Sequence, residues 1–550
     1  MSEPERARTP EAPGIPPAVD VPGTDEDAVR APEATDGPGT THDGESRAPD
    51  GPQAPWRRLD GRTVLVTALV MAGVAGGAGL PTLIGLAGGM PLWQALVWVL
   101  AGAVLLVAAG TGADFARWRR TRYRIGPERA ELRTGLLLVK RRSLSRERIR
   151  SVDLTANVLL RVLGLVQVRI GTGEHAGGGE STLELDAVTR TEGERLRLEL
   201  LTRAATGSTE SPHRDGTLAV LDPSWIRYAP VSFVAPLLGG AAAGAVMQVS
   251  EWFGAQNEVI AWVWARFRDT SIVWMVFVLA AAVLATGIVG ALGLWVEMWW
   301  NYRLEREPGG TLRVRRGLLT ARSISIEERR LRGVDLVEPL GVRLFGAARL
   351  DAVATGLVKD EKDKHADTNV LLPVVPRALA DEVAAHVLRE TSAPTDASLL
   401  TAHPRAARGR RLRWALGAVL LPTAVLVLLG VLLTPVLLWI AVACAALGIP
   451  AAVLLGLDAY RALGHGISGA YLLTRSGTVR RSTVVLQRAG VIGWTARQSL
   501  FQRRAGLITL TATTAAGAGG YSVHDAAEGE GLRFAAESVP GLLEPFLEPG

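Results

Sequence analysis

The sequence contains little cysteine and little lysine. Cys444 is its single cysteine and lies within an apolar stretch, which excludes an intramolecular disulfide and a cysteine-based metal cage. Only four lysines occur, so arginine supplies almost all of the positive charge. No apolar segment occurs before Thr63, so a secretory signal is not predicted.

Charged residues are absent from long parts of the chain, although 21% of all residues are charged and 48% are hydrophobic. An apolar helix needs about 20 residues to cross a membrane, and these uncharged stretches are long enough for one or two such helices each. The sequence therefore predicts a multi-pass membrane protein. Six membrane spans are expected as three hairpins, at residues 63–113, 228–297 and 413–458.

Residues 1–55 are rich in proline, glycine and acidic residues. Twelve acidic and four basic side chains give this segment a net charge of −8, whereas the whole chain has a net charge of +6. Such a composition favours a disordered acidic tail, either merely solvated or masking the basic body electrostatically.

Arginines flank the apolar hairpins, and the turns inside the first and third hairpins carry no charge. Positive charge next to a membrane span is retained on the cytoplasmic side. We therefore expect a cytoplasmic N-terminus and cytoplasmic soluble parts in a cell-membrane protein. The flanking residues are Arg57, Arg58, Arg62, Arg117, Arg119, Arg120, Arg122, Arg124, Arg405, Arg408, Arg410, Arg411, Arg413 and Arg461.

An internal repeat follows the hairpins, and its motifs recur at one constant spacing. The matching pairs are Gly135-Leu136-Leu137 with Gly317-Leu318-Leu319, Val152-Asp153-Leu154 with Val334-Asp335-Leu336, and Arg161-Val162-Leu163-Gly164 with Arg343-Leu344-Phe345-Gly346. A weaker third copy contains Gly477 and Gln498–Leu507. Soluble modules are thus predicted at residues 120–205, 300–392 and 466–548, the last being degenerate.

Each module combines strand-like alternation with one closing helix. Val166-Gln167-Val168-Arg169-Ile170 shows the period of two that is typical of a half-buried strand. Helices are predicted at 192–202 and 378–388. The fold class is therefore membrane α-helical, with three α+β modules of small-barrel type that each end in a C-terminal helix.

These motifs resemble a known family. The first two copies begin with Tyr-Arg-(Ile/Leu) and continue with a Gly-Leu-Leu turn and an arginine-rich strand ending in Val-Asp-Leu. A (Leu/Phe)-Gly pair and a terminal helix follow. This order is similar to the bacterial pleckstrin-homology-like (PH-like) domain of YdbS- and YdbT-type membrane proteins. Three hairpin-plus-module units resemble the YdbT-like arrangement. The resemblance implies partly open barrels, no catalytic residues, no cofactor, and a smaller PH-like membrane protein as partner.

Arginines crowd one strand region of each of the first two modules, close behind a membrane span. Charges near the membrane surface attract anionic lipids by about 1 kcal/mol each. These arginines are therefore candidates for contact with anionic lipid, the alternative being a solvated or salt-bridged face. They are Arg141, Arg142, Arg146, Arg148, Arg150, Arg322, Arg329 and Arg330.

The patterns favour a non-enzymatic scaffold that presents three cytoplasmic modules to protein partners or anionic lipid. The alternative is a transporter or an envelope-lipid-handling protein, which usually places an ionisable residue deep in a span. No ionisable residue lies deep in the predicted spans, which in the second hairpin run from Ala229 to Ser250 and from Ser271 to Val296. Neither a metal site nor a nucleic-acid partner is predicted.

Overall fold

The computed structural model describes residues 55–135, 139–149, 151–171, 182–202, 216–356 and 369–542. Most of the predicted acidic tail, Arg150 and residues 543–548 of the third module lie outside these ranges.

The first repeat unit begins with a strand that precedes its membrane hairpin and pairs with the first strand after it. The helices of this unit are α1 (Thr63–Ala87), α2 (Leu92–Arg120), α3 (Val158–Val162) and α4 (Arg190–Thr202). Its strands are β1 (Arg57–Arg58), β2 (Arg122–Ile125), β3 (Arg129–Thr134), β4 (Lys140–Ser145), β5 (Ser151–Ala156), β6 (Leu165–Gly171) and β7 (Thr182–Thr189).

The second unit repeats this order, with one additional helix between its two long apolar helices. Its helices are α5 (Val234–Trp252), α6 (Gln256–Phe267), α7 (Ile272–Trp299), α8 (Leu340–Leu344) and α9 (Arg377–Leu388). Its strands are β8 (Gly216–Val220), β9 (Arg303–Glu307), β10 (Thr311–Arg316), β11 (Ala321–Glu327), β12 (Leu331–Pro339), β13 (Ala347–Ala354) and β14 (Val370–Pro376).

The third unit has the same plan, although a single bridge between Thr401 and His465 replaces the strand before the hairpin. Its helices are α10 (Arg405–Leu432), α11 (Pro435–Arg461), α12 (Leu500–Arg504) and α13 (Glu528–Ser538). Its strands are β15 (Gly464–Ser468), β16 (Tyr471–Ser476), β17 (Arg480–Gln487), β18 (Val491–Arg497), β19 (Leu507–Thr514) and β20 (Gly520–Ala527).

Five helices in the described part of the chain are long and apolar enough to cross a membrane: α1, α2, α7, α10 and α11. Their surfaces are mostly exposed within the protein, as expected of helices whose apolar side chains face lipid. The first helix of the predicted second pair, α5, is not among the five. Its 19 residues include Pro236, Gln248, Ser250 and Glu251, which lower its mean hydropathy. Length and composition thus support five spans, one fewer than the six predicted.

Neighbouring modules share continuous antiparallel sheets. One sheet has the order β7-β6-β5-β11-β10-β9-β8, so strands of the first module pair directly with strands of the second. A second sheet has the order β14-β13-β12-β17-β16-β15 and joins the second module to the third in the same way. The remaining sheets, β1-β2-β3-β4 and β18-β19-β20, lie at the two ends of the series.

The two joints use the same register. Leu154 of β5 lies opposite Ser323 of β11, and Leu336 of β12 lies opposite Thr483 of β17. These residues occupy equivalent positions in the repeat, since Val152-Asp153-Leu154 corresponds to Val334-Asp335-Leu336. The repeat therefore encodes the contact between modules as well as the modules themselves.

A hairpin turn of the second and third modules contacts the end of a long apolar helix. The amides of Leu319 and Thr320 donate to the carboxylate of Glu297 on α7, at 2.8 and 2.9 Å. In the third module, the hydroxyl of Thr478 donates to Asp458 on α11 at 2.9 Å. Glu297 and Asp458 therefore link the modules to the predicted membrane helices.

Candidate functional site

A cavity of about 400 Å³ lies between the closing helix of the first module, α4, and strands β9 to β11 of the second. Seven arginines and one carboxylate, that of Glu194, line it. We refer to it as the arginine cleft. Its arginines are Arg161, Arg190, Arg303, Arg313, Arg315, Arg316 and Arg322.

Strand pairing gathers several of these arginines at one place. In the register of the shared sheet, Arg315 lies opposite both Arg303 on β9 and Ser323 on β11, while Arg316 lies opposite Arg322. Like charges placed directly opposite each other on a sheet are destabilising. A concentration of positive charge of this kind is compensated by nearby carboxylates or by a bound anion.

Carboxylates pair with the buried arginines at the cleft. Arg197 of α4 donates to Glu307 at 2.7 and 3.2 Å, and Arg313 of β10 donates to Glu307 at 3.0 Å and to Glu194 at 2.6 Å. Both guanidinium side chains are buried. Burial alone would raise the pKa of Glu194 and Glu307, but the hydrogen bonds from these arginines outweigh it and lower both pKa values. This network joins α4 to the second module.

Positive charge is in excess at the exposed arginines of the cleft. Arg303 has a carboxylate, Glu305, only at 3.8 Å, and its side chain is 58% exposed. The pKa of Arg315 is lowered, first by burial and then by the neighbouring charge of Arg313. Guanidinium groups bind the oxygens of phosphate and carboxylate in bidentate fashion. The exposed part of the cleft therefore suits an anion with several oxygens.

The cleft opens beside the C-terminal end of α7. Asn301 and Gly317 belong to its lining, and the amide of Gly317 donates to the carbonyl of Trp300 at 2.8 Å. The neighbouring turn residue Leu319 is 53% exposed, so an apolar tip projects next to the cleft. Tryptophans such as Trp299 and Trp300 are enriched where membrane helices meet water. The cleft thus lies next to the end of a helix that is long and apolar enough to span a membrane.

Comparison with known proteins decides the family. A family model described as "Bacterial PH domain" matches three segments, residues 72–204, 240–391 and 416–538, which together cover most of the chain. The chain belongs to the bacterial PH domain family. It is also 23% identical over 438 residues to "UPF0699 transmembrane protein YdbT" of Bacillus subtilis (strain 168), covering 77% of this chain and 83% of that protein. No solved structure matches it.

The structure distributes the arginines predicted to contact lipid over several environments. Arg322 lines the cleft between the first two bacterial PH domains, and Arg141 is exposed on β4 beside the half-buried Arg142. Arg329 pairs with Glu327 at 2.7 Å. Arg150 and the side chain of Arg148 lie outside the described residues.

Two of the arginines predicted to contact lipid, Arg146 and Arg330, contact other residues of the protein. Arg146 donates to the carbonyls of Gly126 and Glu199, at 3.1 and 2.5 Å, and thereby holds the end of α4. Arg330 pairs with Glu327 at 2.9 Å and donates to the carbonyl of Ile149 at 2.9 Å, across the joint between the first two modules. These contacts place both side chains in structural roles.

Sequence reasoning missed most residues of the arginine cleft. Arg313 and Arg315 carry the available signal, since arginines at every second position of a strand share one face. Arg161 and Arg190 gave no such signal, because they approach the cleft only through the pairing of β5 with β11.

A second polar cluster joins the third module to its hairpin. Asp525 is fully buried, pairs with Arg411 of α10 at 2.9 Å and with Arg410, and accepts a hydrogen bond from Gln502 at 2.8 Å. His403 lies 3.0 Å from His465 through ring nitrogens. Burial lowers the pKa of each histidine to about 4, so both are neutral at physiological pH. In the residues that the structure describes, no group of His, Cys, Asp and Glu could hold a metal ion.

Proposed function

We propose that this protein is a non-enzymatic membrane scaffold that presents three cytoplasmic PH-like modules to anionic lipid and to protein partners. The shared sheets carry this proposal. Because strands pair across both joints, the modules form one connected array rather than three independently tethered domains. An array of this kind suits a protein that holds partners in fixed positions at a membrane surface.

Six spans in three hairpins are part of the proposal, with α5 as the additional span. Two glycines let α5 and α7 approach closely: a side chain on Gly239 would collide with the carbonyl oxygen of Val283, and one on Gly287 would collide with that of Ala235. Small residues at helix contacts are typical of membrane helices. The close contact supports α5 crossing the membrane alongside α7.

Anionic phospholipid is the proposed ligand of the arginine cleft. The excess of guanidinium groups, the position beside the end of α7 and the exposed Leu319 support it. A smaller PH-like membrane protein is the proposed protein partner, since this chain consists of modules that already pair with one another.

Cysteine accessibility in intact cells tests the orientation. Cys444→Ser provides the background, and single cysteines are introduced as Gly88→Cys, Gly177→Cys, Asp363→Cys and Gly519→Cys. An impermeant maleimide should label only the Gly88 variant, because the other three positions belong to the modules. Labelling of the module positions in intact cells would place them outside the cytoplasm and contradict the proposal.

A further inference from the structure

The outer edge of β4 differs from the two joints, because no strand of the described residues pairs with it. β4, β11 and β17 are equivalent strands, since each follows the glycine turn of its module. β11 and β17 pair with β5 and β12 of the preceding module, whereas β4 is the last strand of its sheet within the described residues. Its outer edge corresponds to the surface used in both joints.

A carboxylate marks the strand that docks at each joint. Asp153 of β5 and Asp335 of β12 occupy equivalent positions, and Asp335 accepts a hydrogen bond from Ser482 of β17. If a strand with such a carboxylate paired with β4 in the register of the two joints, the carboxylate would lie opposite Arg142 and diagonally across from Lys140. Opposite charges on neighbouring strands attract by about 0.2–1 kcal/mol per pair.

The third module does not supply this strand. β18 is the counterpart of β12, and both strands have a register shift before a glycine, at Gly493 and Gly333 respectively. The position of Asp335 is therefore taken by the uncharged Thr495, and the position of Val337, two residues later, is taken by Arg497. Pairing of β18 with β4 of a second copy would set Arg497 against Lys140, which like-charge repulsion disfavours.

We propose that the outer edge of β4 binds the corresponding strand of a bacterial PH module on a different polypeptide, a strand with a carboxylate at the position of Asp153 and Asp335. Main-chain hydrogen bonds across the new strand pair would provide affinity, and the charge pairs would provide selection. This inference rests on the proposed scaffold role, and it identifies the edge through which a protein partner joins the array.

Cross-linking tests the edge with a defined probe. The full chain is purified in detergent with Cys444→Ser and Ser143→Cys, which places one cysteine on the face of β4 opposite to that of Lys140 and Arg142. The probe is a synthetic peptide with the sequence of Leu331–Pro339 and cysteine in place of Val334, which the shared register sets opposite Ser143. A short bismaleimide should join the two, whereas a scrambled peptide and an Arg195→Cys control chain should give only background.

Charge reversal provides the decisive comparison. Lys140→Glu with Arg142→Glu should reduce cross-linking by about fivefold or more, and a peptide with lysine in place of Asp335 should do the same with the unaltered chain. Combining both reversals should restore cross-linking. The peptide change keeps the test valid even where the chain variant folds poorly.

Three results would overturn the proposal. Equal cross-linking of the native and scrambled peptides would mean that the edge does not select a strand. Chain-to-chain cross-linking without peptide would identify a second copy as the occupant, and peptide cross-linking only after deletion of residues 1–53 would identify the acidic tail. Because the assay uses purified protein, its result is independent of the membrane orientation.

Discussion

At the scale of single residues, arginines that look alike in sequence have different structural roles. Arg488 of the third module is equivalent to Arg146 of the first, and both donate to carbonyls at the end of a closing helix. In the second module Arg306 contacts the helix end at the carbonyl of His386, and Glu328 takes the position of Arg146. Guanidinium groups at helix C-termini satisfy free carbonyls and interact favourably with the helix dipole.

We expect Arg488→Ala to destabilise the third module. The substitution removes hydrogen bonds of 2.6 and 2.7 Å to the carbonyls of Ser538 and Glu537, and hydrogen bonds of charged groups contribute about 1.5–3 kcal/mol each. Thermal unfolding of the purified protein measures the change. Arg504→Ala, at an exposed position of α12, is the matched control and should leave the unfolding temperature nearly unchanged. Equal effects of the two substitutions would contradict the assigned role.

Two facing carboxylates make stability depend on pH. Asp335 and Asp351 lie directly opposite each other on β12 and β13. Burial raises the pKa of Asp351 to about 6, with Arg349 opposing and Asp335 adding to the rise, and burial likewise raises the pKa of Asp335. Raised pKa values mean that the folded state binds protons more tightly than the unfolded one. The stability that proton binding by these two carboxyl groups contributes is complete below about pH 3.8, and it is lost as the pH rises through about 6.

Asp335→Asn should therefore stabilise the protein more at pH 8 than at pH 4. The amide keeps an acceptor for Ser482 but removes the negative charge facing Asp351, so a gain of about 1–2 kcal/mol is expected at pH 8. Unfolding temperatures at the two pH values measure it. Asp269→Asn, at an 89% exposed side chain, should show no such difference. An effect of Asp335→Asn that is the same at both pH values would rule out this explanation.

At the scale of elements, glycines fix the hairpin turns and one helix contact. Gly317 and Gly477 have φ angles of 111° and 99°, and a side chain at either would collide with a backbone carbonyl oxygen. These turns place Leu319 and Thr478 against the ends of α7 and α11. These two glycines therefore determine where the second and third modules meet their hairpins.

Gly287→Val should separate α5 from α7, because the new side chain would collide with the backbone of Ala235. Gly293→Val on the same helix is the matched control, since nothing lies within 4 Å of a side chain there. Cross-linking between cysteines placed on α5 and α7 should fall for Gly287→Val and persist for Gly293→Val. Loss of cross-linking in both variants would show that valine disturbs α7 in general rather than this contact.

At the scale of the whole molecule, the joints create features that no single module has. The arginine cleft requires α4 from the first module and β9 to β11 from the second. Arg161 of the first module also contacts the carbonyl of Leu318 in the second, and its counterpart Arg343 pairs with Asp458 of the third hairpin at 2.7 Å. Contacts between modules and hairpins thus continue along the chain.

Arg303→Glu combined with Arg315→Glu should weaken retention of phosphatidylglycerol by the purified protein. Each arginine near anionic lipid contributes about 1 kcal/mol, so reversing two should lower retention by at least about tenfold. Mass spectrometry of co-purifying lipid measures it, and competition with inorganic phosphate separates headgroup binding from binding of the phosphate group alone. Arg503→Glu with Arg504→Glu changes the net charge equally outside the cleft and should have a smaller effect. An equal loss would mean that general electrostatics accounts for the retention.

Much of the fold could be predicted from patterns in the linear sequence. Uncharged stretches locate α1, α2, α7, α10 and α11, because burying charge in a membrane is costly. The constant spacing of Gly317 and Val334-Asp335-Leu336 from their counterparts indicates the repeat. Both signals depend on residue type and on position along the chain, so neither requires knowledge of packing.

The partners of individual strands and arginines were decided by the tertiary structure alone. Sequence repetition predicts three similar modules, but not that β5 pairs with β11 and β12 with β17 instead of each module remaining separate. For the same reason, the sequence indicated neither the arginine cleft nor the contacts of Arg146 with the end of α4. Charge and periodicity show that a side chain is polar and which face it shares, whereas its partner depends on contacts between residues far apart in sequence.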